Sequence, residues 1–165
     1  MSRAQYFIEK LELQKHPEGG WFKEVYRSDE FIEQDALNAR FSGRRNISTS
    51  IYFLLEVSDF SAFHRIKSDE TWHFYDGGML EIYSISTSEK LKTHKLGLNI
   101  ENGELPQITI PAGEYFAAKP SSEFTLVGCT VAPGFDFEDF EMPSKQELLN
   151  QFPNQNEIIE LLGKV

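Results

Sequence analysis

Between Asn46 and Val131 the chain alternates apolar and polar residues with period two, in runs too short for helices. Eight runs carry the pattern, near 47–56, 61–67, 70–76, 79–86, 91–97, 105–111, 114–118 and 123–131, and they are rich in Ile, Phe, Tyr and Thr. Turn chemistry separates them: Ser58-Asp59, Gly77-Gly78, Ser88-Glu89-Lys90, Glu101-Asn102-Gly103 and Pro111-Ala112-Gly113. Pro133-Gly134 ends the series. Many short strands at regular spacing predict an all-β sandwich or barrel, not a parallel sheet.

Helical patterns flank this region. Ser2 with Gln5 forms a capping-box pattern, and Ala4, Phe7, Ile8 and Leu11 follow at helical spacing, predicting a helix over about 3–13 stopped by Pro17. Glu18-Gly19-Gly20 turns the chain into a strand from Trp21 to Arg27, and 28–45 reads as a long polar loop. Ser144 with Glu147 and Asn154 with Glu157 mark two further capping boxes in a helical tail over about 144–163. With 165 residues and 14 Phe, one domain spanning 1–165 has apolar material for a sizeable core without disulfides.

Twenty-six acidic against 16 basic residues give a formal charge of −10, which disfavours nucleic acid and anionic membrane as partners. The acidic alternation Asp136 to Glu141 reads as the polar face of an edge strand or loop. Cys129 is the only cysteine, so no intramolecular disulfide forms; it reads first as a buried apolar side chain and second as a reactive thiol. The first residues lack the pattern of a signal peptide and no apolar run is long enough to span a bilayer, so a cytoplasmic protein is expected.

Side-chain parity organises the polar candidates. In a strand, alternate residues share a face, so His64 sits with Ala62 and Ile66, while Phe63, Arg65 and Lys67 face the other way. On the next strand Glu70, Trp72 and Phe74 share a face opposed to Thr71, His73 and Tyr75. A catalytic metal needs three or more protein ligands, and His64 with Glu70 supply two; His73 falls on the opposite face, while His16 or Tyr52 remain able to approach from elsewhere. No metal and no cofactor are therefore expected. Arg40, Arg44 and Arg45, with Arg27 upstream, read first as solvated surface arginines and second as a clamp for a ligand phosphate or carboxylate.

The chain resembles the Cupin-5 group of the cupin superfamily from Leu13 to about Phe140. The likeness rests on His16-Pro17-Glu18-Gly19-Gly20-Trp21-Phe22, Tyr26-Arg27-Ser28, Ser48 to Leu55, Ser61 to Arg65, Ser68 to Tyr75 with Gly77, Pro111-Ala112-Gly113 and Val127 to Phe135. His64, Ile66, Glu70 and Gly77 fall on the first cupin metal motif with Ile66 replacing a ligand. Pro111, Gly113 and Phe116 fall on the second motif with Phe116 replacing a histidine. The resemblance implies a double-stranded β-helix, the jelly-roll barrel, with short terminal helices, commonly as a homodimer, and distant likeness to dTDP-sugar epimerases, germins and auxin-binding proteins. It also turns the His64 and Glu70 faces into the barrel.

That placement gives a small-molecule pocket in which His64 and Glu70 form a proton-transfer pair, as a sugar epimerase or keto-enol isomerase requires. Tyr52, Ile66, Trp72, Phe74, Phe116 and Arg27 would contact the ligand, with sugars, nucleotide-sugars and aromatic acids all suited. The alternative is a non-catalytic binding or sensor module; a metal-dependent oxygenase-type cupin is the third reading. The outward Phe63, His73 and Tyr75 are expected to be covered by a partner copy or by the terminal helices.

Overall fold

A computed structural model describes residues 1–165. In chain order the elements are α1 (Arg3–Lys10), β1 (Gln14–Lys15), β2 (Trp21–Arg27), β3 (Phe31–Ile32), β4 (Arg45–Asn46), β5 (Thr49–Glu56) and β6 (Ser61–His64). Then follow β7 (Asp69–Gly77), β8 (Leu80–Ile85), β9 (Leu91–Leu96), β10 (Gln107–Ile110), β11 (Tyr115–Pro120), β12 (Phe124–Ala132), α2 (Lys145–Gln151) and α3 (Asn156–Leu162). Two antiparallel sheets, ordered β1-β2-β5-β12-β7-β10 and β6-β11-β8-β9, face one another as a jelly roll; β3 and β4 pair separately. All eight runs expected between 47 and 131 are strands, with ends moved by a few residues. The polar stretch 28–45 carries more structure than a loop: the β3–β4 pair and a 3-10 turn at Gln34–Ala36.

Strand parity sorts side chains into three apolar groups. Phe53, Leu55, Trp72, Ile82, Leu96, Ile110, Phe116 and Val127 fill the space between the sheets. On the outer face of the second sheet, Phe63, Ile85, Tyr115 and Ala117 are covered by Leu148, Phe152, Ile159 and Leu162 of the helical tail. Burying each large side chain there stabilises the docked tail by roughly 1.5–3 kcal/mol. Phe63 is thus covered within the chain, whereas Tyr75 and Tyr26 stay about half exposed on the outer face of the first sheet, at 51% and 53%. Helix α1 lays Ala4, Phe7, Ile8 and Leu11 over Leu54, Phe124 and Leu126 on part of that same face. No helix is long and apolar enough to cross a membrane.

Two capping boxes form as read. Ser2 Oγ accepts from the Gln5 amide while Gln5 Oε1 accepts from the Ser2 amide, both at 3.1 Å; Ser144 and Glu147 do the same for α2. Helix α1 ends well before Pro17, because Glu12 adopts a left-handed conformation (φ 56°) and the Leu13 amide bonds back to Ile8. The Asn154–Glu157 box does not form. Pro153 starts a 3-10 turn, Pro153–Gln155, that runs into α3, leaving Gln155 as a cap without a side-chain bond.

Candidate functional site

A cavity of about 300 Å³ opens inside the barrel, within the size range of small-molecule sites. Register explains its walls. Arg27 pairs across with Thr49, Thr49 with Val131, and Val131 with Glu70, so one row of inward side chains crosses β2, β5, β12 and β7. The next inward row, Glu24, Ile51 and Cys129, lies beside it. His64 from the end of β6, with Ile66 just beyond it, supplies the facing wall. His16 and Glu18 enter from the turn between β1 and β2, and Phe135, Asp136, Phe137 and Phe140 form a flap after β12.

Of the residues singled out in the sequence, His64, Glu70, Ile66 and Arg27 line the cavity. Phe116 packs on the His64 ring (centroids 4.2 Å apart) but stands behind it, outside the lining. Trp72 points inward yet lies deeper, wedged edge-on between Phe53 and Phe116, with its indole N–H buried and unpartnered. Phe74 packs partly buried on the same core. Tyr52 is on the other side of its strand: it pairs with the outward Lys23 and Gly128 positions and meets the Tyr75 ring at 6.2 Å. Parity excludes it from the cavity, since Ile51 and Phe53 take the inward positions on β5.

His64 finds its partner in Glu18. Its Nε2 lies 2.9 Å from Glu18 Oε2 and its Nδ1 lies 2.7 Å from the Ala62 carbonyl oxygen. A carbonyl only accepts, and so does an ionised carboxylate; with Glu18 ionised, both ring nitrogens donate and the ring is an imidazolium. Burial opposes this charge, but the charge of Glu18 and its hydrogen bond, with help from Glu70, outweigh burial and raise the His64 pKa. For Glu18, burial is likewise outweighed by the charge of His64, and by hydrogen bonds from His64 and from Ser61 Oγ (2.9 Å), so its carboxyl titrates below the usual range.

Glu70 behaves differently. It is 8% exposed and no amide, hydroxyl or cationic group donates to its carboxyl. Burial pushes its pKa up to about 7, opposed by the charge of His64, reinforced by that of Glu18, and opposed again by the adjacent Cys129 thiol. Cys129 is itself buried and its thiol is raised well above its ordinary value, first by burial and then by Glu70. It is a wall of the cavity, not a ready thiolate.

His16 and Glu18 belong to the His16–Phe22 stretch of the family likeness, and the fold brings both against His64. The His16–Gly20 hairpin closes through His16 N–H to the Gly20 carbonyl (3.0 Å) and Gly19 N–H to the His16 carbonyl (3.1 Å). Gly19 (φ 112°) lies against the Phe60 carbonyl, where a Cβ would collide; the paired glycines were the available signal of a backbone held close to β6. His16 Nδ1 accepts the Glu18 amide at 3.2 Å, so a neutral His16 carries its proton on Nε2, and burial lowers its pKa.

The acidic run from Asp136 to Glu141 is a loop that exposes Glu138 and Glu141, as a polar face would, but not Asp139. Phe137–Asp139 forms a 3-10 turn and Asp139 is buried, held by Arg45 through Nε–Oδ2 (2.8 Å) and Nη2–Oδ1 (2.7 Å). Arg45 is thus a buried anchor, only 3% exposed, and not a surface arginine. Arg27 is engaged as well: it pairs with Glu24 at 2.7 Å and donates to Asn46 Oδ1 and the Phe135 carbonyl. Its guanidinium ties the flap to β2.

A metal does not fit this donor set. His64, Glu18 and Glu70 lie close together, but no three of the His, Cys, Asp and Glu side chains are arranged to hold a metal ion, and both nitrogens of His64 are committed to other acceptors.

The chain is 32% identical over 97% of its length to an uncharacterised protein of Saccharomyces cerevisiae, YML079W, covering 85% of it. A hypothetical protein from Leishmania major superimposes with a TM-score of 0.92 at 31% identity, over 99% of this chain and all of that one. Protein SO0799 from Shewanella oneidensis gives 0.90 at 39% identity, over 99% of both chains. An oxalate decarboxylase of Bacillus subtilis shares the fold alone, with a TM-score of 0.56 and 16% identity over 93% of this chain and 38% of that one. The Cupin_5 model, described as Cupin superfamily (DUF985), matches residues 5–143, and this chain belongs to that family.

Proposed function

We propose that the cavity binds a small organic carbonyl compound and isomerises it by proton transfer, with Glu70 as the group that carries the proton. The observation behind this is the Glu70 carboxyl, facing the cavity with only the Cys129 thiol as a donor and held at about 7 by burial, where it both takes and returns a proton near neutrality. His64, expected from sequence to share that task, has both nitrogens occupied; in this reading it is a fixed positive charge beside Glu18.

One carboxyl suits a one-base isomerisation of an α-hydroxy aldehyde or ketone. The Glu70 carboxylate removes the proton from the hydroxyl-bearing carbon; the C–H electron pair becomes the C=C bond of an enediolate, and the carbonyl pair moves onto oxygen. A proton shift between the two oxygens and return of the Glu70 proton to the former carbonyl carbon give the isomer, with atoms and electrons unchanged. The His16 Nε2–H is the donor proposed for the developing oxyanion.

The test is incubation with a panel of α-hydroxy carbonyl compounds, glucosamine and glyceraldehyde among them, in D₂O with ¹H NMR detection. Solvent deuterium should enter the carbon next to the carbonyl, and Glu70→Gln should abolish this. A compound that binds saturably yet never exchanges would overturn the catalytic reading and leave a binding module.

A further inference from the structure

The charges around the cavity choose among ligand classes. Its lining contains three side chains able to be positive: Arg27, His64 and His16. Arg27 is paired with Glu24, His64 is paired with Glu18, and His16 is buried with Nδ1 already accepting an amide hydrogen bond. An anionic ligand would enter without a free cation to meet it, and burying an unpaired charge is costly. Glu70, by contrast, is an acid with no cationic partner in direct contact. Over the same space stand three aromatic rings of the flap, mutually steep: Phe135 to Phe137 at 5.0 Å and 82°, Phe135 to Phe140 at 6.2 Å and 70°, Phe137 to Phe140 at 6.0 Å and 73°. All three rings line the cavity, and aromatic rings attract cations.

Resting on the binding-site reading above, we infer that the cavity selects a small cationic amine, held by the flap phenylalanines and by the Glu70 carboxylate, and rejects phosphate- and carboxylate-bearing ligands. Nucleotide-sugars and aromatic acids drop out; an amino-bearing carbonyl compound remains. The cation also favours ionised Glu70, so the ligand would arm its own base. The groups facing Glu70 are His64, Glu18 and Cys129; the first two keep their charges and the thiol stays protonated, so the proton lost on binding comes from Glu70.

Isothermal titration calorimetry on the full chain tests this, using choline and benzylamine against benzoate and inorganic phosphate, at pH 7 in buffers of differing ionisation enthalpy. The amines should bind saturably with release of about half a proton, as expected for a group titrating near the working pH. Glu70→Gln should weaken them by about tenfold or more and abolish the release. Phe137→Ala, at an exposed flap position, should also weaken them. Binding of benzoate or phosphate as tight as that of the amines would overturn the inference. So would amine affinity unchanged in Glu70→Gln, or neither amine binding. Amine binding with no deuterium exchange leaves the cation site standing and removes only the proton-transfer reading.

Discussion

His64 Nε2 and Glu18 Oε2 lie 2.9 Å apart with both side chains buried, joining the end of β6 to the turn between β1 and β2. Both charges are largely withdrawn from solvent, so each depends on the other. Glu18→Gln should destabilise the fold by about 3–5 kcal/mol, the cost of stranding one member of a buried pair. Urea denaturation at pH 7 measures it; a loss below about 1 kcal/mol would mean the pair is not formed.

Glu70 makes stability depend on pH in an unusual direction. Its folded pKa of about 7 exceeds the ordinary 4.5, so the folded state holds this proton after the unfolded state has released it. The contribution is full below pH 4.5, declines as pH rises toward 7 and is flat above. The loss from this group is about 3 kcal/mol over that window. Denaturation at pH 5 and pH 8 should show a smaller difference in Glu70→Gln than in the wild type. Glu18 acts oppositely, its contribution being lost as pH falls through its lowered pKa, so the variant comparison isolates Glu70.

The flap depends on an ion pair that is distant in sequence. Arg45→Ala leaves Asp139 buried with only Lys67, at 3.7 Å, to face it. A loss of about 3–5 kcal/mol is expected, or local release of the flap if the rest of the barrel holds. Hydrogen exchange distinguishes the two: amides at 135–140 should lose protection first in the second case.

The outer face of the first sheet keeps Tyr26 and Tyr75 half exposed, with Thr71, Thr109 and Thr130 on the same side. We propose that a second copy of the chain packs there. Light scattering should return twice the monomer mass, and Tyr75→Asp should shift it toward the monomer; a monomeric wild type would refute this.

Local patterning carried most of the fold. Period-two runs located the strands, and the family blocks supplied the barrel that turns His64 and Glu70 inward. What local patterning could not carry is pairing at long range. Glu18 reaches His64 across 46 positions only because the glycine hairpin folds against β6, and Arg45 meets Asp139 across 94. Phe137 and Phe140 were hidden in an acidic run that read as a polar face, and Phe135 stood at the end of a family block with no role attached. Tyr52 needed only the parity rule applied to β5, where Ile51 and Phe53 claim the interior. The Asn154–Glu157 pattern failed because Pro153 had already begun a turn that flows into α3.

The site chemistry rests on Glu70 titrating near neutrality while Glu18 holds His64 as an imidazolium. An NMR titration from pH 4 to pH 9 tests it, following the His64 ring ¹⁵N shifts and the Glu70 carboxyl ¹³C shift, each assigned by substitution. Both His64 nitrogens should show imidazolium shifts through pH 7, and Glu70 a midpoint at about 7. A neutral His64 ring at pH 7 together with a Glu70 midpoint in the ordinary carboxylate range would contradict it.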